Sequence, residues 1–110
     1  MSREKTVDEV REQFLEYVVA LINYWDKSVE GTARYKLEGL AHSLLSTLDG
    51  CSSGLPRFIV APYPHPDDKQ FCIEIGDDYY AENNSKIKCD IAGGLHEQLC
   101  RYLKAKESKP

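Results

Sequence analysis

Three polar side chains of the predicted second helix have residue types and a spacing that suit proton transfer or metal binding. Glu38, His42 and Asp49 stand at positions i, i+4 and i+11, which places them on one helical face, about 100° from the apolar stripe. A carboxylate, an imidazole and a second carboxylate in a row can relay protons or bind a metal ion. A solvated helix face with an i,i+4 ion pair gives the same pattern, and we favour this second interpretation.

A second polar group lies in the segment Pro64-His65-Pro66-Asp67-Asp68. Two prolines stiffen this segment, and its adjacent carboxylates can bind a hard cation or a basic partner. A helix start explains the same residues, because His65 or Asp67 can cap the helix while the acids interact favourably with its dipole. We favour the helix start. A similar string occurs in zinc deacetylases, but four residues without the remaining ligands are a weak match.

A third group, Gly93-Gly94 followed by His96-Glu97, lies where the last helix is predicted to begin. Glycines at a helix start can bring backbone N–H groups close to an anion. No Lys, Ser or Thr follows as in a phosphate-binding loop, and the second histidine of the HExxH zinc motif is missing. A zinc site is stereochemically conceivable, with His96, Cys100 and two of Cys72, Cys89 and His65 as its ligands, although these spacings match no common zinc module. We favour small buried hydrophobic roles for the cysteines.

Two long helices must position these groups. Thr6 and Glu9 form a capping box that opens a helix over 6–26. Its apolar stripe consists of Val7, Val10, Phe14, Tyr17, Val18, Leu21 and Trp25. Leu15, Val19 and Ile22 widen the apolar surface, so the helix is either covered from two directions or offers a patch to a partner. We favour coverage from two directions.

The second helix is predicted over 32–49 and ends before Gly50. Gly39 lies in its middle, where glycine costs stability, and so indicates close approach of another element. We expect the two helices to form an antiparallel hairpin and a helix near 93–105 to close the core. The segment 66–75 has both helix signals and strand-like alternation; we favour helix. We predict a minimal two-stranded element from the short segments 58–61 and 87–91. We also predict an exposed loop over 77–85, which Tyr79 and Tyr80 attach to the body of the protein.

The composition predicts one α+β domain dominated by helices, with 1–5 and 106–110 as disordered tails. The chain has 110 residues, of which 42% are hydrophobic and 29% charged, which suffices to fill one compact interior. The longest apolar run, 18–22, is too short to cross a bilayer, and the charged N-terminus is unlike an export signal, so we expect a cytoplasmic protein. A net charge of −4 without a clustered basic face argues against nucleic-acid binding.

Four segments carry a resemblance to other proteins: Leu37-Glu38-Gly39-Leu40-Ala41, Leu48-Asp49-Gly50, the run from Pro64 to Lys69 and the run from Ile91 to Glu97. Together they resemble a family of small bacterial and phage proteins to which no activity is assigned. The likeness covers about 35–99, more than half of the chain. It implies a bacterial or prophage cytosolic protein and supplies no mechanism.

The sequence contains no complete catalytic set, cofactor fingerprint or basic patch. We therefore expect a non-catalytic accessory or regulatory protein that binds another protein or itself, without a cofactor and without nucleic-acid or membrane partners. Leu15, Val19 and the tyrosine-bearing acidic loop are the expected contact regions. The alternative is a small metal-binding protein or hydrolase, and its candidate residues are His65, Asp67, Asp68, His96 and Glu97.

Overall fold

The computed structural model describes residues 2–81 and 88–107. Helices dominate this part of the chain, as predicted, and none of these residues is in a strand. The α-helices are α1 (Val7–Asn23), α2 (Ala33–Leu48), α3 (Asp68–Ile75) and α4 (Leu95–Glu107), and a π-helical turn, Tyr24–Ser28, continues α1. None of these helices is long and apolar enough to span a membrane.

The helix α1 begins at the predicted capping box. The Glu9 N–H donates to Thr6 Oγ1 at 3.2 Å, and the Thr6 N–H donates to Glu9 Oε1 at 2.9 Å. At the other end, the π-helical turn carries the Trp25 ring onto α2. The ring lies directly against Gly39, where any Cβ would collide with it, and Trp25 Nε1 donates to Ser43 Oγ at 2.9 Å. The close approach predicted from Gly39 is therefore confirmed.

The first two helices form the predicted hairpin, and α2 lies between its neighbours. Trp25, after α1, contacts Gly39 and Ser43, whereas Tyr17, two turns earlier in α1, borders the same cavity as Thr47 near the end of α2. The helices therefore run antiparallel. α2 also packs against α4, and Asp49 at the end of α2 meets the start of that helix.

The predicted two-stranded element is not found within the described residues, although its two segments do meet. Ile91 N–H donates to the Val60 carbonyl at 2.7 Å, but Val60 N–H donates to the Asp90 carboxylate at 2.8 Å instead of a backbone carbonyl. Asp90 also accepts from the Ala92 N–H at 2.9 Å and pairs with Arg57 at 2.8 Å. The Asp90 carboxylate takes the place of the backbone carbonyl that would accept from Val60 in a β-ladder, so no ladder of backbone hydrogen bonds forms. Residue 87 lies outside the described residues.

The segment 66–75 contains a helix, as favoured, but this helix does not join the helical body. α3 ends at Gly76, whose φ of 79° provides the left-handed stop. Within the described ranges α3 packs on no other helix, and Phe71 and Ile75 of α3 are exposed. Tyr79, expected to pin the loop to the body, lies under Lys69 of α3, whose Nζ atom is 5.4 Å from the ring centroid. Positions 82–85 of that loop are outside the described residues.

The expected closed interior is not present. Among the described residues only Leu55, Ala92 and Thr47 are buried. The chain extends 59 × 51 × 18 Å, and its radius of gyration is 17.9 Å, against about 13 Å for a compact domain of this length. The short dimension leaves room for two layers of helices, and within residues 2–81 and 88–107 no third layer covers their outer faces. α4 also continues to Glu107, beyond its predicted end at 105.

Candidate functional site

Asp49 connects the end of α2 to the start of α4. Its Oδ2 atom accepts from the backbone N–H of His96 at 3.0 Å, and its Oδ1 atom accepts from the N–H of Gly93 at 2.5 Å. Gly93 and Gly94 adopt φ values of 99° and 88°, a left-handed conformation that glycine reaches without strain. The expected anion at these glycines is thus the Asp49 side chain, which is only 1% exposed.

Asp49 is an ionised group in this position. Burial alone would raise the pKa of Asp49, because a carboxylate loses its hydration in the interior. Hydrogen bonds from the backbone and ring of His96, and from the backbone N–H groups of Gly93 and Leu95, oppose burial and hold the pKa well below its usual range. The negative charge therefore remains at the positive end of the α4 dipole at neutral pH.

The imidazole of His96 is oriented by the same carboxylate. Its Nδ1 atom lies 2.6 Å from Asp49 Oδ2, and the side chain is 17% exposed. Because an ionised carboxylate can only accept, the network assigns the Nδ1 proton to this bond. In the neutral ring Nε2 then has a free lone pair, and the Glu97 carboxylate lies 3.8 Å from that atom. A histidine held in this way can act as a base or bind a metal through Nε2.

His42 meets His96 edge to face. The two ring centroids are 5.3 Å apart and the ring planes are inclined by 88°. His42 also borders an open cavity of about 250 Å³. The other lining residues are Tyr17, Leu21, Ser43, Ser46, Thr47, Cys51 and Ser52. Three of the candidate residues, His42, Asp49 and His96, are therefore brought together from two elements; we call them the Asp49–His96–His42 cluster.

The remaining candidates make local contacts. Glu38 forms an i,i+4 ion pair with Arg34 at 2.7 Å on the solvated face of α2. His65 Nδ1 accepts from the Asp67 N–H at 3.1 Å, and Asp68 accepts from the His65 N–H at 3.2 Å. These contacts are those of the helix start that we favoured for this segment. Glu97 lies next to the Asp49–His96–His42 cluster, because its carboxylate is 3.8 Å from His96 Nε2, but it takes no part in the hydrogen bonds of the cluster.

The cysteine and histidine side chains do not assemble the conceivable zinc site. In the part of the chain that the structure describes, no three His, Cys, Asp or Glu side chains form a group suited to a metal ion. None of the four thiols is in a disulfide; the cysteines are Cys51, Cys72, Cys89 and Cys100. The expected buried role is not found either, because Cys51 and Cys100 are exposed.

Sequence reasoning missed the pairing of Asp49 with His96 and the central role of Asp90. The two partners of the first pair are 47 residues apart, so helical spacing could not join them. One signal was available, since Asp49 precedes a stop glycine and Asp90 precedes the glycine pair. Aspartate beside such turns often binds backbone N–H groups.

Comparison of the chain with known protein families, with curated proteins and with solved structures finds no significant match.

Proposed function

We propose that this chain is a non-catalytic accessory or regulatory protein that acts by binding another protein. The observation that carries the proposal is the number of large apolar side chains that stay exposed to solvent in a structure only 18 Å thick. Large apolar side chains that are about half exposed or more occur on α1, α2 and α3; they include Leu15, Val19, Leu37, Phe71, Ile73 and Ile75. Scattered exposed apolar residues are ordinary, but contiguous apolar patches mark interaction sites.

The outer face of α1 provides such a patch. Leu15 is 54% exposed and Val19 is 55% exposed, and they form the floor of an apolar groove along the helix. Charged side chains surround the groove; they are Asp8, Arg11, Glu12 and Glu16. An apolar centre with a charged rim is the usual anatomy of a protein interface.

The resemblance to small bacterial and phage proteins supports a bacterial or prophage origin as part of this proposal. A cytoplasmic location is likewise proposed, on the basis of the charged N-terminus and the short apolar runs.

The proposal can be tested by quantitative affinity capture with a matched pair of double variants. Leu15→Glu with Val19→Glu places two charges in the α1 groove, whereas Ile73→Glu with Ile75→Glu places two charges on the similarly exposed α3. We expect the α1 variant to lose a captured protein that the wild type and the α3 variant retain, with unchanged far-UV circular dichroism. Equal capture by all three proteins, or loss of folding in the α1 variant, would contradict a binding role for this face.

A second candidate function is zinc binding by the two imidazoles of the Asp49–His96–His42 cluster, with solvent as the remaining ligands, since the described residues gather no group of three metal-binding side chains. The specific observation is that the bond from His96 Nδ1 to Asp49 holds the His96 ring edge to face with His42, and His42 borders the open cavity. The test is titration of untagged, chelator-treated protein with zinc, with His96→Gln as the control variant. Stoichiometric zinc binding that His96→Gln removes would favour this function. No binding, and no change in melting temperature, would exclude zinc binding.

A further inference from the structure

The charges around the α1 groove do not balance. Arg11 pairs with Asp8 at 2.6 Å, so these two rim charges largely neutralise each other. Glu12 and Glu16 also border the groove, and neither forms an ion pair with another residue that the structure describes. The rim therefore presents a net negative charge to an approaching molecule, and this charge comes from Glu12 and Glu16.

These two glutamates lie side by side on the surface of α1. They are four residues apart, and both lie on the same side of Leu15 and Val19. Like charges at this spacing destabilise a helix by about as much as an opposite pair would stabilise it. A cationic group placed between the two carboxylates removes this repulsion. The glutamate pair therefore favours a positive charge on the molecule that covers the groove.

The apolar floor of the groove has the spacing of a helix-packing stripe. Leu15, Val19 and Ile22 follow one another at intervals of four and three residues, and all three are exposed. Such a stripe fits the side chains of a second helix that lies along α1, because ridges on one helix pack into grooves on the other. A partner helix with an apolar stripe, and with lysine or arginine along the edge next to Glu12 and Glu16, complements both features.

The same charge argues against three other occupants. A nucleic acid or an anionic membrane surface would bring phosphate groups against Glu12 and Glu16, and the resulting repulsion disfavours both. A second copy of this chain, paired through the same face, would add a second set of these carboxylates to the rim. A basic helix is the occupant that replaces repulsion with attraction.

We propose that the α1 groove binds a basic amphipathic helix of another protein, whose apolar stripe covers Leu15 and Val19 and whose lysine or arginine side chains pair with Glu12 and Glu16. This inference rests on the proposed function, because it gives the chemistry of the partner at the same face. The basic side chains of the partner are three or four residues apart, since they match two glutamates on successive turns of α1.

The test measures the binding of two synthetic helical peptides to the whole chain by fluorescence anisotropy. Both peptides have a leucine stripe at helical period; one carries lysine on its polar face and the other carries glutamate. We expect the lysine peptide to bind, more weakly as salt is raised, and the glutamate peptide not to bind. Equal binding of the two peptides, or no binding of either, would overturn the inference.

Two double variants with the same change in net charge locate the contact. Glu12→Gln with Glu16→Gln should bind the lysine peptide about tenfold more weakly than the wild type, because two ion pairs are lost. This variant should melt no lower than the wild type, because it removes a like-charge pair from α1. Asp77→Asn with Asp78→Asn changes two exposed acids beyond α3 and should bind like the wild type. Equal weakening by both double variants would indicate attraction to the net charge alone and would overturn the site.

Sedimentation velocity and affinity capture separate the other outcomes. A wild-type dimer that Leu15→Glu with Val19→Glu dissociates would assign the groove to a second copy and overturn the basic partner. If the lysine peptide does not bind while this α1 variant loses its captured protein, the proposed function stands and only the inferred partner fails. If the α1 variant changes neither capture nor peptide binding, both fail.

Discussion

His65 and His96 each lie at the start of a helix beside carboxylates, but their surroundings differ completely. His65 interacts with Asp67 and Asp68, which are adjacent in sequence, and its side chain is 69% exposed. His96 interacts with Asp49, which comes from another helix, and its side chain is 17% exposed. The comparison shows that a histidine next to acids acquires a fixed orientation only where two elements enclose it.

The difference originates in how the two helices pack. α4 lies against α2, so the end of α2 inserts a carboxylate into the first turn of α4. α3 packs against no other helix within the described residues, so its first turn interacts only with its own residues and solvent. Four comparisons of variants test this contrast, from the largest expected effect to the smallest.

The largest effect is expected from Asp49→Ala, with Asp67→Ala as its control. Removing the Asp49 carboxylate leaves the N–H groups at the start of α4 and the His96 ring without their acceptor, so we expect a loss of about 3 kcal/mol in unfolding free energy. Asp67 makes no side-chain cap and is exposed, so its loss should cost less than about 0.5 kcal/mol. Urea denaturation measures both, and similar losses would remove the contrast.

Acid should destabilise the fold through Asp49. The pKa of Asp49 is lower in the folded chain than in the unfolded one, so its contribution is fully present above the unfolded value of about 3.9 and is lost as the pH falls below it. Asp49→Asn should therefore show a smaller decrease in stability between about pH 4 and pH 2 than the wild type. Asp67→Asn should follow the wild-type profile; a flattened profile in this control would contradict the assignment to Asp49.

The two histidines should differ when each is replaced by alanine. His96→Ala removes the ring that bonds Asp49 and contacts His42, and we expect a loss of about 1.5 kcal/mol. His65→Ala removes an exposed ring with a local contact, and the loss should stay below about 0.5 kcal/mol. Thermal unfolding monitored by circular dichroism compares them. An equal decrease in melting temperature would show that the Asp49–His96 bond adds no stability.

The smallest effect is expected at His42. His42→Ala removes an edge-to-face ring contact worth about 0.5 to 1 kcal/mol, whereas His42→Phe retains an aromatic edge against His96. Chemical denaturation should therefore rank the wild type and His42→Phe together, above His42→Ala. If His42→Phe is as unstable as His42→Ala, a hydrogen bond of the imidazole, and not the ring contact, stabilises this end of α2.

Local features of the chain were predictable from the sequence. The Thr6–Glu9 capping box, the close approach at Gly39 and the end of the second helix before Gly50 each depend on a few neighbouring residues, and the structure contains all three. The two-stranded element failed because the Asp90 side chain, and not a backbone carbonyl, binds Val60. The closed interior failed because apolar periodicity identifies a face without identifying what covers it.

The sequence by itself determined that helices form in these segments, where α1 begins and which faces are apolar, because capping and periodicity act over a few residues. Only the tertiary structure decided that Asp49 caps α4, that His96 and not His65 is held by a buried carboxylate, and that the outer face of α1 remains open. These outcomes depend on which elements dock over long sequence separations. Burial, which sets the strength of each polar contact, is fixed only by that docking.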